Sequence, residues 1–552
     1  MSRGPIDDRP PRTVVVADDR PPEVLTGYLA PYRQDELFVI APVAYDEWGL
    51  EGLHEHYLRF DRESNVQWHL KLRGPVDRIV NVRVAPPEKH AAMLRGLLFH
   101  LGPGGEYAIP RAALTAYPAG NRLETLLRRL GDGLAHGHDA VPTAARELAH
   151  ATAEVRLDRD WIRVRKSGRH YLKLSDRWAN RMLASRRSAT TVRELQRVPA
   201  GTFASGTTIV SHGASKTLGG LKTTVDTPPL HLRHYQGRIG LVSNALTFTE
   251  NEILPDSFRH HLAADLTNPR LVDVGKSFAR LDRQVVPTDE LHGSYYLLDS
   301  ENSGHFGHLM TEVVSRLWGW DRAKQDAPDL RAIFRIRYPH ERDPWLERLV
   351  FSAFGIRPED ITWVDRPVYL ESMYGATPMF HNSAPHYVHP EIRAVWERIR
   401  DGLRDDSAPS WDRIFVSRRD TLGNRRCLNR EEVEDYFSAA GFEVIYPEDY
   451  GLATQAAIFS RARVVAGFGG SAMFNTLFAD RLEDMIVLSQ QAYTARNEVL
   501  ISLPLDVRLH YFWNRPDVQH PPGGWSRAAY KSSWTFDFAQ HREQLDRVIR
   551  AG

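Results

Sequence analysis

Cysteine is nearly absent. Cys427 is the single one in 552 residues, which excludes an intramolecular disulfide and leaves a cysteine-built zinc centre without ligands. The 24 histidines contain no HExxH or comparable ligand spacing, so the sequence argues for no metal site. Net charge of one sign is lacking as well: 71 Lys+Arg against 70 Asp+Glu give a formal charge of +1, with no bulk drive toward nucleic acid or an anionic membrane. Lysine is scarce, nine against 62 arginines, a bias that fits a GC-rich genome better than a function. No apolar run approaches the roughly 20 residues that span a bilayer. The start, MSRGPIDDRPPRTVVVADDRPPEV, lacks the apolar core of a signal peptide and reads as a disordered tail over 1–22. These absences predict a soluble, cytoplasmic protein.

What the chain does have is length enough for two to four domains and a composition of ordinary globular kind, 42% hydrophobic and 26% charged. The clearest pattern lies at 405–510. Strand-like runs at 414–417 (IFVS), 443–446 (EVIY), 463–467 (RVVAG) and 485–488 (MIVL) alternate with helical stretches at 430–440, 452–462 and 471–479. Such alternation predicts βαβ units and a parallel sheet, a Rossmann-like half. A second such half is predicted over 231–404, with strands at 240–243, 295–298, 332–336 and 361–364 and helices at 308–324 and 344–354. The loop 405–410 (DDSAPS) joins the two halves, and 511–552 is left as a C-terminal segment.

The region 23–230 reads as an accessory α/β region, with strands near 37–41, 79–84 and 107–109 and a helix over 89–101. Residues 186–230, rich in Ser, Thr and Gly, read as a linker or flexible loop. Asp158 and Asp160 form a DxD triplet, which recurs by chance in chains of this length and lies outside the paired halves.

In open parallel sheets, ligands bind beyond the carboxyl ends of the strands. At those ends stand Ser417, Arg418 and Arg419, then Glu448, then the turn Gly469, Gly470, Ser471 and Ala472 opening a helix, then Gln490. A glycine turn at a helix start exposes backbone N–H groups that favour an anion, and guanidinium groups beside it suit a diphosphate. A tight βα turn that binds nothing is the plain alternative. In the preceding half, His308 and Glu312 stand four apart on one helical face, with His305 one turn earlier. A carboxylate that fixes the tautomer of a histidine makes a general base, and a solvated surface pair is the alternative.

These motifs carry a resemblance. HFGHLMTE (305–312), VSRRD (416–420), RRCLN (425–429) and GFGGSAMFNTLFA (467–479) occur in the order found in glycosyltransferase family 61, so the stretch of about 235–510 resembles that family. His308 matches the family histidine, Glu312 stands for its aspartate and His305 replaces its asparagine. Gly467, Gly470 and Asn475 fit the later segment, Gly469 replaces a histidine there and Ala472 a glycine. The resemblance implies a GT-B-like pair of Rossmann-like domains with an additional N-terminal α/β region. It implies inverting transfer from a nucleotide sugar, UDP-activated in the family, to a glycan acceptor without a metal or other cofactor. His308 or Glu312 would be the base, with Arg418, Arg419 and residues 469–472 and 475 on the donor. His305, Ser417 and Glu448 are further candidates. In bacteria the setting is capsule or surface polysaccharide synthesis, with peripheral association to membrane assembly machinery. A non-catalytic nucleotide-sugar or glycan-binding scaffold is the rival reading. The stretch 93–111 resembles the late part of class I methyltransferases, but the glycine-rich loop that would hold S-adenosylmethionine is missing upstream, which implies a remnant.

Overall fold

The computed structural model describes residues 10–20, 22–32, 34–42, 58–59, 63–115, 118–186, 188–213, 222–282, 286–302, 304–336, 344–419 and 423–551. The chain forms two compact units, each of mixed α/β structure. One comprises Met1–Val192, Phe248–Pro255 and Pro269–Val285, and the other Arg193–Thr247, Asp256–Asn268 and Val286–Gly552.

The first unit is built on a seven-stranded sheet. In spatial order its strands are Leu58–Arg59, Glu36–Ala41, Arg12–Val16, Val76–Asn81, Leu101–Pro110, Trp161–Lys166 and Thr152–Leu157. The first five run parallel and the last two close the sheet as an antiparallel hairpin. The β-branched run RTVVV at 12–16 is thus a central, buried strand and not part of a disordered tail. Residues 1–9 of that tail lie outside the described residues. Helix Arg122–His136 shows why the flanking helices form here. Asn121 caps it by accepting the Glu124 N–H at 2.9 Å, Leu123, Leu126, Leu127 and Leu130 face the core, and Gly137 ends it at φ +90°. The strand order reverses between Arg12–Val16 and Val76–Asn81, where a doubly wound sheet opens a ligand crevice. Here the loop after the first strand has no glycine, and Asp18 accepts the Arg20 Nε–H at 2.8 Å and the Val84 N–H at 2.7 Å, while Arg20 also donates to the Val82 carbonyl. The first aspartate of the DxD triplet is tied into a hairpin: Asp158 pairs with Arg156 and Arg163.

Among the described residues, the second unit holds two larger sheets besides two two-stranded ones. The first contains Leu230–Val242, Val368–Ala376, Asp289–Leu297, Arg331–Arg335 and Ile361–Val364 in that order. The last four are parallel, but Leu230–Val242 is antiparallel to Val368–Ala376. The sequence reading missed Val368–Ala376 because its first turns alternate buried Val368 and Leu370 with half-exposed Tyr369 and exposed Glu371, unlike the continuous apolar runs of buried parallel strands. The predicted helix 308–324 is also not uniform. Helical turns run from Phe306 to Asp326, but Leu309–Val313 is a π-helical turn and Val314–Gly319 a 3₁₀ stretch. Thr311 and Ser315 hydroxyls take the Gly307 and Glu312 carbonyls at 2.7 and 2.8 Å, loosening the regular ladder.

The second sheet is wholly parallel, in the order Thr208–His212, Arg508–Asn514, Asp484–Gln490, Val464–Phe468, Arg413–Val416, Glu443–Ile445. Its central strands are buried on both faces. Val464, Ala466 and Phe468 face one core with Leu545 and Ile549 of helix Phe538–Ala551, while Val465, Met485 and Val487 face the other. Two expectations are corrected here. Residues 191–212 are not a linker: their β-branched runs form strands, and Thr208–His212 pairs with Arg508–Asn514 at the sheet edge. Residues 187 and 214–221 of that stretch lie outside the described residues. The helix predicted over 471–479 is a 3₁₀ helix, Ser471–Phe478.

Candidate active site

The parallel register of the second sheet brings every strand's carboxyl end to one edge, and the helical segment that starts at Phe306 faces that edge. Gly307 makes the approach. A Cβ there would lie 3.0 Å from Cε2 of Phe474 and 3.2 Å from Oγ of Ser471, so any larger residue would have to push these side chains aside for His308 to stand as close to the glycine turn. Between them is a cavity of about 1220 Å³. Its lining includes His305, His308, Arg418, Arg419, Glu448, Ser471 and Ala472, so seven of the residues singled out from sequence meet there.

On one wall, His308 Nδ1 and Glu312 Oε1 are 2.7 Å apart, and Arg259 Nε donates to the same oxygen at 2.7 Å. A carboxylate only accepts, so Nδ1 carries a proton, and the neutral form of the ring has its lone pair on Nε2. Burial pushes the Glu312 carboxyl up, but the hydrogen bond from His308 and the charge of Arg259 outweigh it and hold the carboxyl below its ordinary value. Glu312 does not line the large cavity. It lines a second cavity of about 20 Å³, room for one water, together with Arg259, Asp299, Glu301 and Arg316. Asp299, at the carboxyl end of strand Asp289–Leu297, is 2% exposed, and burial pushes its carboxyl up to about 7.

On the other wall, Gly470 has φ +148°, and a Cβ there would meet Arg425 Nη2 at 3.1 Å and Arg418 Nη1 at 3.7 Å. Two guanidinium groups therefore converge on the turn. That of Arg425 lies over the rings of Tyr493 and Tyr530, at 4.4 and 5.4 Å from their centroids, and its buried Nε has no hydrogen-bond partner among the described residues. Among the described lining residues, Arg259, Arg418, Arg419 and Arg425 stand against one carboxylate, Glu448. Arg419 is tied down at the exposed end: its side chain pairs with Asp449, and its N–H donates to Glu448 Oε1 at 2.7 Å.

Four sequence expectations change. The Gly470 N–H is not left for an anion, because it donates to the buried Glu498 carboxylate at 2.8 Å, a group that burial pushes up to about 7. Gly469 spends its N–H on the Leu488 carbonyl at 2.9 Å and packs on Ser489 outside the cavity. Ser417 is buried with its hydroxyl on Glu434. Asn475 is buried as well, its amide donating to Gln455 at 3.0 Å and the Ala472 carbonyl at 3.2 Å, so it docks the 3₁₀ helix onto helix Leu452–Arg461. Asp420 of the VSRRD motif lies outside the described residues. Sequence reasoning missed Arg259, which follows no motif, and Tyr493, Trp525 and Tyr530. These last three follow the strands Asp484–Gln490 and Arg508–Asn514, and the second of those strands was not read from the sequence.

A comparison with curated proteins finds no match. Among solved structures, the chain is similar to MycE methyltransferase from the mycinamycin biosynthetic pathway, with a TM-score of 0.22 and 14% identity over 29% of this chain and 42% of that one. It is similar to the antibiotic-resistance methyltransferase Kmr (TM-score 0.19, 11% identity, 29% of this chain and 89% of that one). It is also similar to the Burkholderia thailandensis 1,6-didemethyltoxoflavin-N1-methyltransferase (TM-score 0.17, 14% identity, 29% of this chain and 72% of that one). The chain spans less than half the length of MycE. Residues 306–486, which carry His308, Glu312, Arg418 and the glycine turn, match the family model of Glycosyltransferase 61, the family that the sequence motifs resemble.

Proposed function

We propose that this chain is an inverting glycosyltransferase of the two-Rossmann, GT-B-like kind, moving a sugar from a nucleotide donor, UDP-linked, to a hydroxyl of a glycan acceptor. The observation that carries the proposal is the pairing of His308, oriented by Glu312, with Arg418 and Arg425 beside Gly470 across one cavity. The family match over 306–486 supports the reaction class.

The chemistry follows from that pairing. Nε2 of His308 takes the proton of the acceptor hydroxyl as its oxygen bonds to the anomeric carbon. The bond from that carbon to the diphosphate breaks, and the electron pair leaves on the phosphate oxygen. Arg418 and Arg425 stabilise that developing charge, with Arg425 held in place by two tyrosine rings. Inversion follows from a single in-line displacement with one base. Glu312 supports the imidazolium instead of acting as the base, since it stands behind His308 with one oxygen already accepting two donors. The guanidinium groups supply the positive charge the leaving diphosphate needs, so the proposed reaction runs without a metal.

The proposal extends to a cytoplasmic role in bacterial surface polysaccharide synthesis, supported by the family resemblance. No helix among the described residues is long and apolar enough to cross a membrane. The test is release of UDP from a panel of UDP-sugars by the full-length protein, with and without oligosaccharide acceptors. His308→Ala is expected to abolish release while UDP still raises the melting temperature. Tight binding of a UDP-sugar with no turnover on any acceptor would favour the scaffold reading instead.

A further inference from the structure

Resting on that glycosyltransferase reading, we infer that Trp525 is the platform on which a pyranose ring of the acceptor stacks, so that the acceptor enters across the loop following strand Arg508–Asn514. An indole normally hides most of its large apolar surface. Trp525 leaves 61% of its surface in water while lining the cavity, so it stands where the cavity opens to solvent.

The backbone that carries the ring is pinned. The turn before it, 521–524 (PPGG), closes through the Gly524 N–H to the Pro521 carbonyl at 3.2 Å, with Gly523 at φ +76°. The residue after it, Ser526, donates its N–H to His520 Nδ1 at 3.1 Å and caps Arg527–Tyr530 by accepting the Ala529 N–H at 3.4 Å. His520 in turn donates from Nε2 to the Ala492 carbonyl at 3.0 Å. The Trp525 ring rests beside Tyr530 at 5.8 Å and His520 at 6.4 Å. A platform ordered in advance costs little to use.

Its surroundings fit a sugar. A pyranose offers a face of C–H groups and a rim of hydroxyls, and the same cavity is lined by the neutral hydrogen-bonding side chains of Asn382, Ser383, Thr494 and Asn497. From Gly470 the order is Arg425, then Tyr530, then Trp525, so the ring sits just past the cations assigned to the diphosphate. An acceptor glycan must keep most of its length outside the protein, which a platform at the opening allows. A nucleobase has its polar edge to satisfy and is served by enclosure. Trp525 also lies beyond the matched segment 306–486, so this chain supplies it outside the family motif.

Saturation-transfer NMR on the full-length protein, with chitotriose, xylotriose, cellotriose and maltotriose as probes at millimolar concentration, reads the contact directly. At least one trisaccharide is expected to show strongest saturation on the C–H face of one ring. Trp525→Ala should weaken it roughly tenfold or more, Trp525→Phe much less, with the UDP-induced rise in melting temperature unchanged in both. Normal UDP binding with no saturation of any trisaccharide would overturn the inference and leave the proposed function standing. Weaker UDP binding in Trp525→Ala would overturn it in favour of a nucleobase platform. If neither UDP nor any trisaccharide binds, both readings fall.

Discussion

Asp299→Asn tests the electrostatics behind the base without any substrate. Asp299 accepts the Ser300 N–H at 2.8 Å, and its carboxyl is otherwise buried beside Ala245, Arg335 and Arg316. Burial raises its carboxyl from 3.8 to about 7, so between those values the folded protein holds a proton that the unfolded chain has released. The folded state then binds more protons, and stability falls as pH rises from about 4 to about 7, where the loss levels off. At 1.36 kcal/mol per pH step, the gap between 3.8 and about 7 sets a ceiling of about 4 kcal/mol. Asparagine keeps the shape and has no proton to lose. The variant should therefore match the natural protein near pH 4 and exceed it increasingly up to pH 7, within that ceiling. Guanidinium unfolding of both proteins at matched pH values measures the difference. A variant whose advantage stays flat across that range, or shrinks with rising pH, would refute the reasoning.

Other perturbations reach the site from different sides. Glu312→Gln removes a carboxylate held below its ordinary value; the folded-state gain it carries is full above the unfolded pKa and lost as pH falls. The stability deficit of this variant should thus narrow below about pH 4, and its transfer rate should drop by roughly 10²–10⁴ as His308 loses its tautomer anchor. Gly307→Val places methyl groups against Phe474 and Ser471, where a Cβ alone would already be at 3.0 and 3.2 Å, and should cost about 1–3 kcal/mol in thermal unfolding along with transfer activity. Arg425→Ala, which removes one charged partner of the leaving group, should weaken UDP by roughly 10- to 100-fold in titration calorimetry with little change in fold.

Much of this site is legible in the sequence, and the reasons are local. His308 and Glu312 meet because four residues make one helical turn, and that held even where the turn widened to a π-helical one. Arg418, Glu448 and Ser471 converge because a parallel sheet puts all its carboxyl ends on one edge. What the sequence hid depends on long-range partners. Whether the Gly470 N–H faces a ligand was decided by Glu498, 28 positions on, which no spacing rule links to a glycine turn. Arg259 reaches Glu312 across 53 positions, from a segment without periodicity. Arg12–Val16 reads as tail because prolines and aspartates flank it on both sides, yet the valine run between them is an interior strand of its sheet. Ser417 and Asn475 sit in the right motifs but turn inward, which only packing decides.

The most direct test of the central claim is calorimetry of UDP against the full-length protein in EDTA, repeated with Arg418→Ala and Arg425→Ala. The account predicts binding that EDTA does not diminish and that each substitution weakens by an order of magnitude or more. Binding that both variants retain at full strength, or no binding of UDP by the natural protein, would contradict it.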